Sequence, residues 1–151
     1  MNQVNPVLRR ICAESIPCDT VLPSGNLYTS KLFQRIADDF NSDTDFRKSV
    51  ILAQSGIDYN ESYVRYPYVS CVISSLSFNN EKKVLEADLD ILDTPIGRIL
   101  NTLVEYKCGV KLIPHTLTNS IDVDDINIIS NNSTDLLFFE ARAVNLSDKQ
   151  A

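Results

Sequence analysis

The regular alternation of side chains in residues 83–92 restricts the fold more than any other feature of this sequence. In it, every second residue is apolar: Leu85, Ala87, Leu89 and Ile91 alternate with Val84, Glu86, Asp88 and Asp90. This alternation is typical of a β-strand with one buried and one solvated face. Residues 69–78 include β-branched side chains and alternate too, and Asn79-Asn80 is a turn signal because asparagine tolerates a positive φ. The sequence therefore predicts an antiparallel hairpin.

Two amphipathic helices are predicted, one before the hairpin and one after it. Residues 31–40 carry apolar side chains at helical spacing and follow an N-cap at Thr29 or Ser30. The second helix has Thr94 as its N-cap, Pro95 at its first position and Gly109 as its end. The apolar stripe of this second helix consists of Ile96, Ile99, Leu100, Leu103 and Val104.

The remaining elements are strands, which sets the fold class. They are predicted at residues 7–16, 49–54, 110–117, 126–129 and 136–144. Pro114 argues for an edge or a bulge in its strand. The order β-α-β-β-β-α-β-β-β predicts an α+β fold: an antiparallel, barrel-like sheet of about six to seven strands with two main helices. We expect residues 1–151 to form one domain, with residues 1–6 and 145–151 as flexible tails.

Charge and composition argue against several classes of function. The net charge is −6, with no basic stripe, which disfavours nucleic acid as a partner. No stretch approaches the ~20 apolar residues of a membrane span, and the N-terminus lacks the pattern of a signal peptide. The four isolated glycines form no phosphate-binding loop, and the cysteines form no CxxC pair that would suggest zinc. We therefore expect no cofactor, no metal, and synthesis in a reducing cytoplasm.

Two features are candidates for chemistry or binding. His115 is the only imidazole in the chain and would have to be the general base of any triad, although a single histidine near a strand end is more often structural. An aromatic patch precedes the third strand and could anchor an interface or pack as a loop over the sheet. The interaction candidates in this patch are Tyr59, Tyr63, Arg65, Tyr66 and Tyr68.

Three stretches resemble the prohead maturation protease family of tailed bacteriophages, a relative of the herpesvirus assemblin fold. Residues 22–28 with the following helix are similar to a flap segment of that family, and residues 72–92 are similar to its hairpin. The most specific match is Leu92-Asp-Thr-Pro-Ile-Gly-Arg-Ile-Leu100, followed by Cys108-Gly-Val110. The three stretches lie between residues 22 and 110, and the resemblance as a whole is taken over about residues 7–144. It implies the assemblin-like fold.

The chain departs from this family where the resemblance implies catalytic residues. The family carries its nucleophilic serine directly after the Gly-Val pair, whereas Gly109-Val110 here continues into Lys111-Leu-Ile-Pro114. The family's histidine lies between the first helix and the hairpin, and residues 50–60 contain none. A hydroxyl without its base is a poor nucleophile, and here both are missing. The resemblance thus implies a degenerate member that lacks the catalytic serine and histidine.

Our interpretation is a non-catalytic, protease-fold structural protein of a tailed-phage virion. It would be made in the host cytoplasm and bind the major capsid protein or another head or tail component, and it could also form a homo-oligomer. A first alternative is an active capsid-maturation peptidase with a displaced site, using His115 as base and Cys108 or a nearby hydroxyl as nucleophile. A second alternative is an unrelated protein-binding module that uses the aromatic patch.

Overall fold

The computed structural model describes residues 6–22, 25–42, 51–56, 64–118, 121–123, 126–129 and 134–144. Except for Pro6, the two predicted tails lie outside these residues. The elements, in chain order, are β1 (Val7–Ser15), β2 (Asn26–Tyr28), α1 (Ser30–Asn41), β3 (Leu52–Gln54), a short 3-10 helix (Tyr66–Tyr68), β4 (Val69–Asn79), β5 (Val84–Leu92), α2 (Pro95–Glu105), β6 (Gly109–Thr118), β7 (Ile121–Val123), β8 (Ile126–Ile129) and β9 (Thr134–Val144).

Six strands close into a barrel in the order β1-β5-β4-β3-β9-β6. The predicted hairpin is its β4/β5 pair, in which Cys71 lies opposite Ile91 and Asn79 opposite Val84. The α+β fold class with a barrel-like sheet and two helices is therefore confirmed. The barrel is mixed rather than wholly antiparallel, because β1 runs parallel to β6 and β3 runs parallel to β9.

A second, three-stranded sheet in the order β2-β8-β7 lies outside the barrel. The sequence predicted β8 but missed β2 and β7, which are three residues long each. Strands this short show too few alternating positions for the periodicity to be recognised. The small sheet continues into the first helix, since the N–H of Thr29 donates to the carbonyl of Ile129 (3.0 Å).

Helix α1 covers one part of the core through its apolar face. Thr29 is the N-cap, as predicted, and its Oγ accepts from the N–H of Leu32 (3.3 Å). Phe33 is fully buried and packs edge-on against Phe78 of β4, with 6.3 Å between ring centroids. Asn41 donates to the carbonyl of Leu76 (2.8 Å), so the helix ends against the same strand.

Helix α2 packs near the other end of β4. The hydroxyl of Thr94 accepts from the N–H of Gly97 (3.0 Å) and donates to the carbonyl of Val69 (2.6 Å). The cap is therefore also a tertiary contact between the helix and β4. Only Gly97 and Leu100 are fully buried on this helix.

The predicted apolar stripe of α2 differs from the observed buried face. Ile99 is 56% exposed and Leu103 is 37% exposed, because the helix contacts the barrel along the row that includes Leu100. The predicted helix end at Gly109 is also wrong, since the helix ends at Glu105. Lys107 adopts the positive φ of 73°, and the N–H of Cys108 donates to the carbonyl of Leu103 (3.0 Å). This closes a Schellman motif.

Two local predictions have different outcomes: the one about the turn between β4 and β5 and the one about Pro114 in β6. Lys83, rather than an asparagine, holds the positive φ in the β4/β5 turn (63°). Asn79 acts through its side chain instead, with Oδ1 accepting from the N–H groups of two turn residues. The edge position of Pro114 is confirmed, because β1 pairs with β6 only as far as Leu112 and the register shifts just after His115.

No helix in the described residues is long and apolar enough to cross a membrane.

Candidate functional site

Three neighbouring strands bring together the two regions where the resemblance implies catalytic groups. The expected histidine region contains β3, and the expected serine position lies on β6. Strand β9 separates them: Gln54 of β3 lies opposite Glu140 of β9, and Ile113 of β6 lies opposite Glu140 on its other side. Two strand spacings amount to roughly 10 Å, so the two regions lie near each other, with Glu140 of β9 between β3 and β6.

The side chains in this row are an amide, a carboxylate and an aliphatic group. Gln54 is completely buried, and its Oε1 accepts from the backbone N–H of Arg65 (2.9 Å). Glu140 is 3% exposed. None of the three is a hydroxyl, thiol or imidazole, and neither are Lys111 and Leu112, which directly follow Val110 where the resemblance implies the serine.

Glu140 binds two cationic or potentially cationic side chains. Its Oε1 lies 3.2 Å from Nε2 of His115, and its Oε2 accepts from Nε of Arg142 (2.9 Å). The guanidinium makes a second bond of 3.2 Å to Oε1, so the Arg142 contact is bidentate. The ring of His115 stacks on that of Phe138, with centroids 4.7 Å apart and an interplanar angle of 14°.

The environment of Glu140 keeps its carboxyl group ionised. Burial acts to raise its pKa, but the hydrogen bonds from His115 and Arg142 outweigh this and leave the pKa below its ordinary value. A general base works best with a pKa near the operating pH. Glu140 is therefore an orienting and charge-balancing group for its neighbours.

Two buried serines lie beside this row and were not identified from the sequence. The Oγ atoms of Ser55 and Ser70 are 2.7 Å apart, and Ser55 donates to the carbonyl of Ala141 (2.7 Å). Ser70 also lies 3.4 Å from the carbonyl of Ala53. These hydroxyls hold β3, β4 and β9 together where the ladders end. No periodic or motif signal in the sequence distinguishes them from other serines.

The structure does not bring the two alternative catalytic residues together. Cys108 immediately precedes β6, and His115 lies six residues into that strand. At about 3.3 Å per residue, their backbones are roughly 20 Å apart along an extended strand. A direct thiol–imidazole pair of Cys108 and His115 does not fit this distance.

The aromatic patch is described only in part, because Tyr59 and Tyr63 lie outside the described residues. Its described portion, residues 65–68, is called the tyrosine turn below. Arg65 is exposed, Tyr66 is 84% exposed and Tyr68 is half-buried. The carbonyl of Tyr68 accepts from the N–H of Ser55 (2.9 Å). Together with the Arg65–Gln54 bond, this attaches the turn to the end of β3, beside the site.

The described residues contain no group of three or more histidine, cysteine or acidic side chains that could hold a metal ion. Carboxylates on the outer face of β5 have other partners. Asp88 accepts from the thiol of Cys12 (3.2 Å) and the hydroxyl of Ser75 (2.9 Å), and Asp90 pairs with Arg10 (2.6 Å).

The fold is a closed mixed barrel with two helices, and it resembles that of a phage capsid assembly protease. No protein-family model and no curated protein matches the sequence. Among solved structures, the capsid assembly protease of bacteriophage T4 superimposes with a TM-score of 0.68 and 13% sequence identity. The match covers 88% of this chain and 80% of the T4 protein. The fold that the family resemblance implied is thereby confirmed.

Proposed function

We propose that this protein is a non-catalytic, protease-fold structural component of a tailed-phage virion. In this role it binds the major capsid protein or another head or tail component. The observation that carries the proposal lies on β6 and β3, where the resemblance implies catalytic groups. Lys111 and Leu112 follow Val110 where the serine is expected, and residues 50–60, which include β3, contain no histidine. A barrel that keeps its shape but has lost a nucleophile and base at that place is suited to binding.

The tyrosine turn is the contact surface that we assign to this binding. Tyr66 presents nearly its whole ring to solvent, and two hydrogen bonds attach the turn to the end of β3. A large aromatic side chain on an anchored turn loses little conformational entropy on binding, and tyrosine and arginine are frequent at binding hot spots.

The first test is a mass-spectrometric inventory of mature particles of the phage that encodes the chain, with its copy number per particle. The proposal expects the full-length chain at a fixed, stoichiometric number. Its absence from mature particles, or its presence only as cleaved fragments, would reject a structural role in the virion.

The second test is co-sedimentation of the purified chain with particles that lack it. Tyr66→Ala should weaken the association, whereas Tyr66→Phe keeps the ring and should bind as the wild type does. Equal binding of all three proteins would remove the tyrosine turn from the proposal without touching the inventory result.

A displaced active site is the alternative that one observation favours. The His115–Glu140 contact is the arrangement in which a carboxylate orients an imidazole base. Incubating the chain alone and with capsid protein tests it, using His115→Asn as the variant. We expect no cleavage by either protein; cleavage that the folded variant has lost would establish the protease instead.

A further inference from the structure

The exposed large apolar side chains of the described residues collect on and beside α2. Six such side chains are present, and three of them lie on this helix or in its C-terminal turn: Ile99 at 56%, Leu103 at 37% and Tyr106 at 79% exposure. A fourth, Tyr66, belongs to the tyrosine turn, which packs against α2. Exposed apolar patches on a small protein mark interaction sites.

Four apolar side chains form one face of α2 and its C-terminal turn. Ile96, Ile99, Leu103 and Tyr106 follow each other at intervals of three, four and three residues, which places them in one stripe. We call this set the α2 stripe. A groove of about 320 Å³ runs between this stripe and β9, and Ile96, Ile99 and Leu103 line it together with Arg142.

The charges that flank the α2 stripe oppose the dipole of their own helix. Arg98 lies near the N-terminal end and Glu105 lies at the C-terminal end, and α2 has no acidic residue in its first turn and no basic residue in its last. The positive N-terminus of a helix favours acidic side chains and its negative C-terminus favours basic ones. An antiparallel helix alongside would present the complementary order of charges.

We propose that the α2 stripe is a self-association surface, through which two copies pack α2 against α2, antiparallel, about a two-fold axis beside Thr102. Such an interface is isologous, so each contact occurs twice. Arg98 then faces Glu105 of the second copy, and Ile99 contacts Leu103 of the second copy. Tyr106 of the second copy lies at the Ile96 end of the groove.

The size of this interface sets the expected strength. Helix α2 has 11 residues and is therefore about 16 Å long, so the contact belongs at the small end of specific interfaces. We expect a monomer–dimer equilibrium in the micromolar range. The inference concerns contacts between copies of this chain and does not depend on the proposed virion role.

Sedimentation velocity of the purified chain from about 5 to about 500 µM tests the proposal, a range that brackets weak association. The mass should rise with concentration from the 16.9 kDa monomer towards twice that value. Ile99→Asp should stay monomeric at every concentration. Val21→Asp is the matched control, because Val21 is 46% exposed and lies in the loop after β1; it should associate as the wild type does.

A charge exchange tests the antiparallel orientation. Arg98→Glu and Glu105→Arg should each weaken association, and the double variant should restore it. Within one copy these substitutions set like charges beside Asp93 and Arg9, the present partners. Restoration in the double variant can therefore come only from contact between copies.

Thermal unfolding of each variant checks that it is folded. A wild type that stays monomeric at the highest concentration, or an Ile99→Asp variant that associates normally, overturns the proposal. A double variant that fails to recover overturns the antiparallel α2 contact. If the wild type is monomeric and Ile99→Asp loses its binding to phage particles, the α2 stripe belongs to a virion partner rather than to a second copy.

Discussion

The Nε2 atom of His115 lies 3.2 Å from Oε1 of Glu140, and both side chains are 4% exposed. The two residues are 25 positions apart in the sequence and meet because β6 and β9 are paired. Arg142, two residues further along β9, binds the same carboxylate from its half-exposed position. Glu140 is the most buried carboxylate among the described residues whose exposure is given.

Glu140→Gln should destabilise the protein at neutral pH by about 1–3 kcal/mol, because it leaves the Arg142 and His115 contacts without their charge. Urea unfolding at pH 7 measures the change. Glu105→Gln is the control, since its partner Arg9 is exposed and a surface pair contributes about 0–1 kcal/mol. Equal losses in the two variants would contradict the structural importance of the cluster.

The contribution of Glu140 should also depend on pH. The pKa of its carboxyl group in the folded state is below the ordinary 4.5, so the unfolded chain takes up its proton first as the pH falls. The stabilisation is complete above about pH 4.5 and is lost as the pH falls through the lowered folded-state pKa. The difference between the wild type and Glu140→Gln should therefore shrink in unfolding curves measured from pH 7 down to about pH 3.

Gly97→Ala should destabilise the protein by about 1–3 kcal/mol or more, as overpacking does. A Cβ atom at this position would overlap the backbone carbonyl oxygen of Leu92 and lie 2.8 Å from Oγ1 of Thr94. Val21→Ala is the control, because Val21 is 46% exposed and lies outside the α2 stripe, so its replacement should change the unfolding free energy little. A normal melting temperature for Gly97→Ala would show that the close approach does not exist in solution.

Thr94→Ala should lower the unfolding free energy by about 1–2 kcal/mol. The substitution removes the N-cap of α2 and also leaves the carbonyl of Val69 without the hydroxyl that binds it. Thr94→Ser retains the oxygen and should recover most of the loss in the same denaturation experiment. If serine proved no better than alanine, the methyl group rather than the hydrogen bonds would be responsible.

The cysteines should differ in their reactivity towards a thiol reagent at pH 8. Burial raises the pKa of Cys71 to about 11, so this thiol should react only after unfolding. Cys12 is exposed, yet its hydrogen bond to Asp88 and the charge of that carboxylate raise its pKa, which lowers the thiolate fraction. Asp88→Asn should therefore speed the reaction of native Cys12. An unchanged rate would show that the Cys12–Asp88 contact is not maintained.

Much of the architecture could be predicted because its signals are local. The alternation in β5 follows from having one face in the core, and it was sufficient to predict the hairpin. Thr29 and Thr94 could be identified as N-caps because a side-chain hydroxyl there accepts a hydrogen bond from the backbone N–H three residues later, which is a local interaction. The Leu92–Leu100 motif was the strongest sign of the protease fold. The glycine at position 97 of this motif has a steric explanation, because a Cβ atom there would overlap the carbonyl oxygen of Leu92.

The site could be predicted only in part. The absence of a serine after Val110 and of a histidine in residues 50–60 is visible in the sequence. That Glu140 lies between those two regions, or that Ser55 and Ser70 share a hydrogen bond, is not visible there. These relations depend on the register of strands that are far apart in the chain, and no periodicity within a strand specifies its partner.

The sequence by itself determined the two helices and the longer strands, where α1 and α2 begin, and which residues of β5 face inward, because hydrophobic period and capping act between near neighbours. It did not reveal the three-residue strands β2 and β7. Only the tertiary structure decided the rest. The parallel β1/β6 and β3/β9 pairs close the barrel. The register of the antiparallel β6/β9 pair brings His115 beside Glu140 and Arg142, and the angle at which α2 meets the barrel leaves Ile99 exposed. Strand pairing and helix packing between segments far apart in the chain determine these features, and no local sequence pattern specifies them.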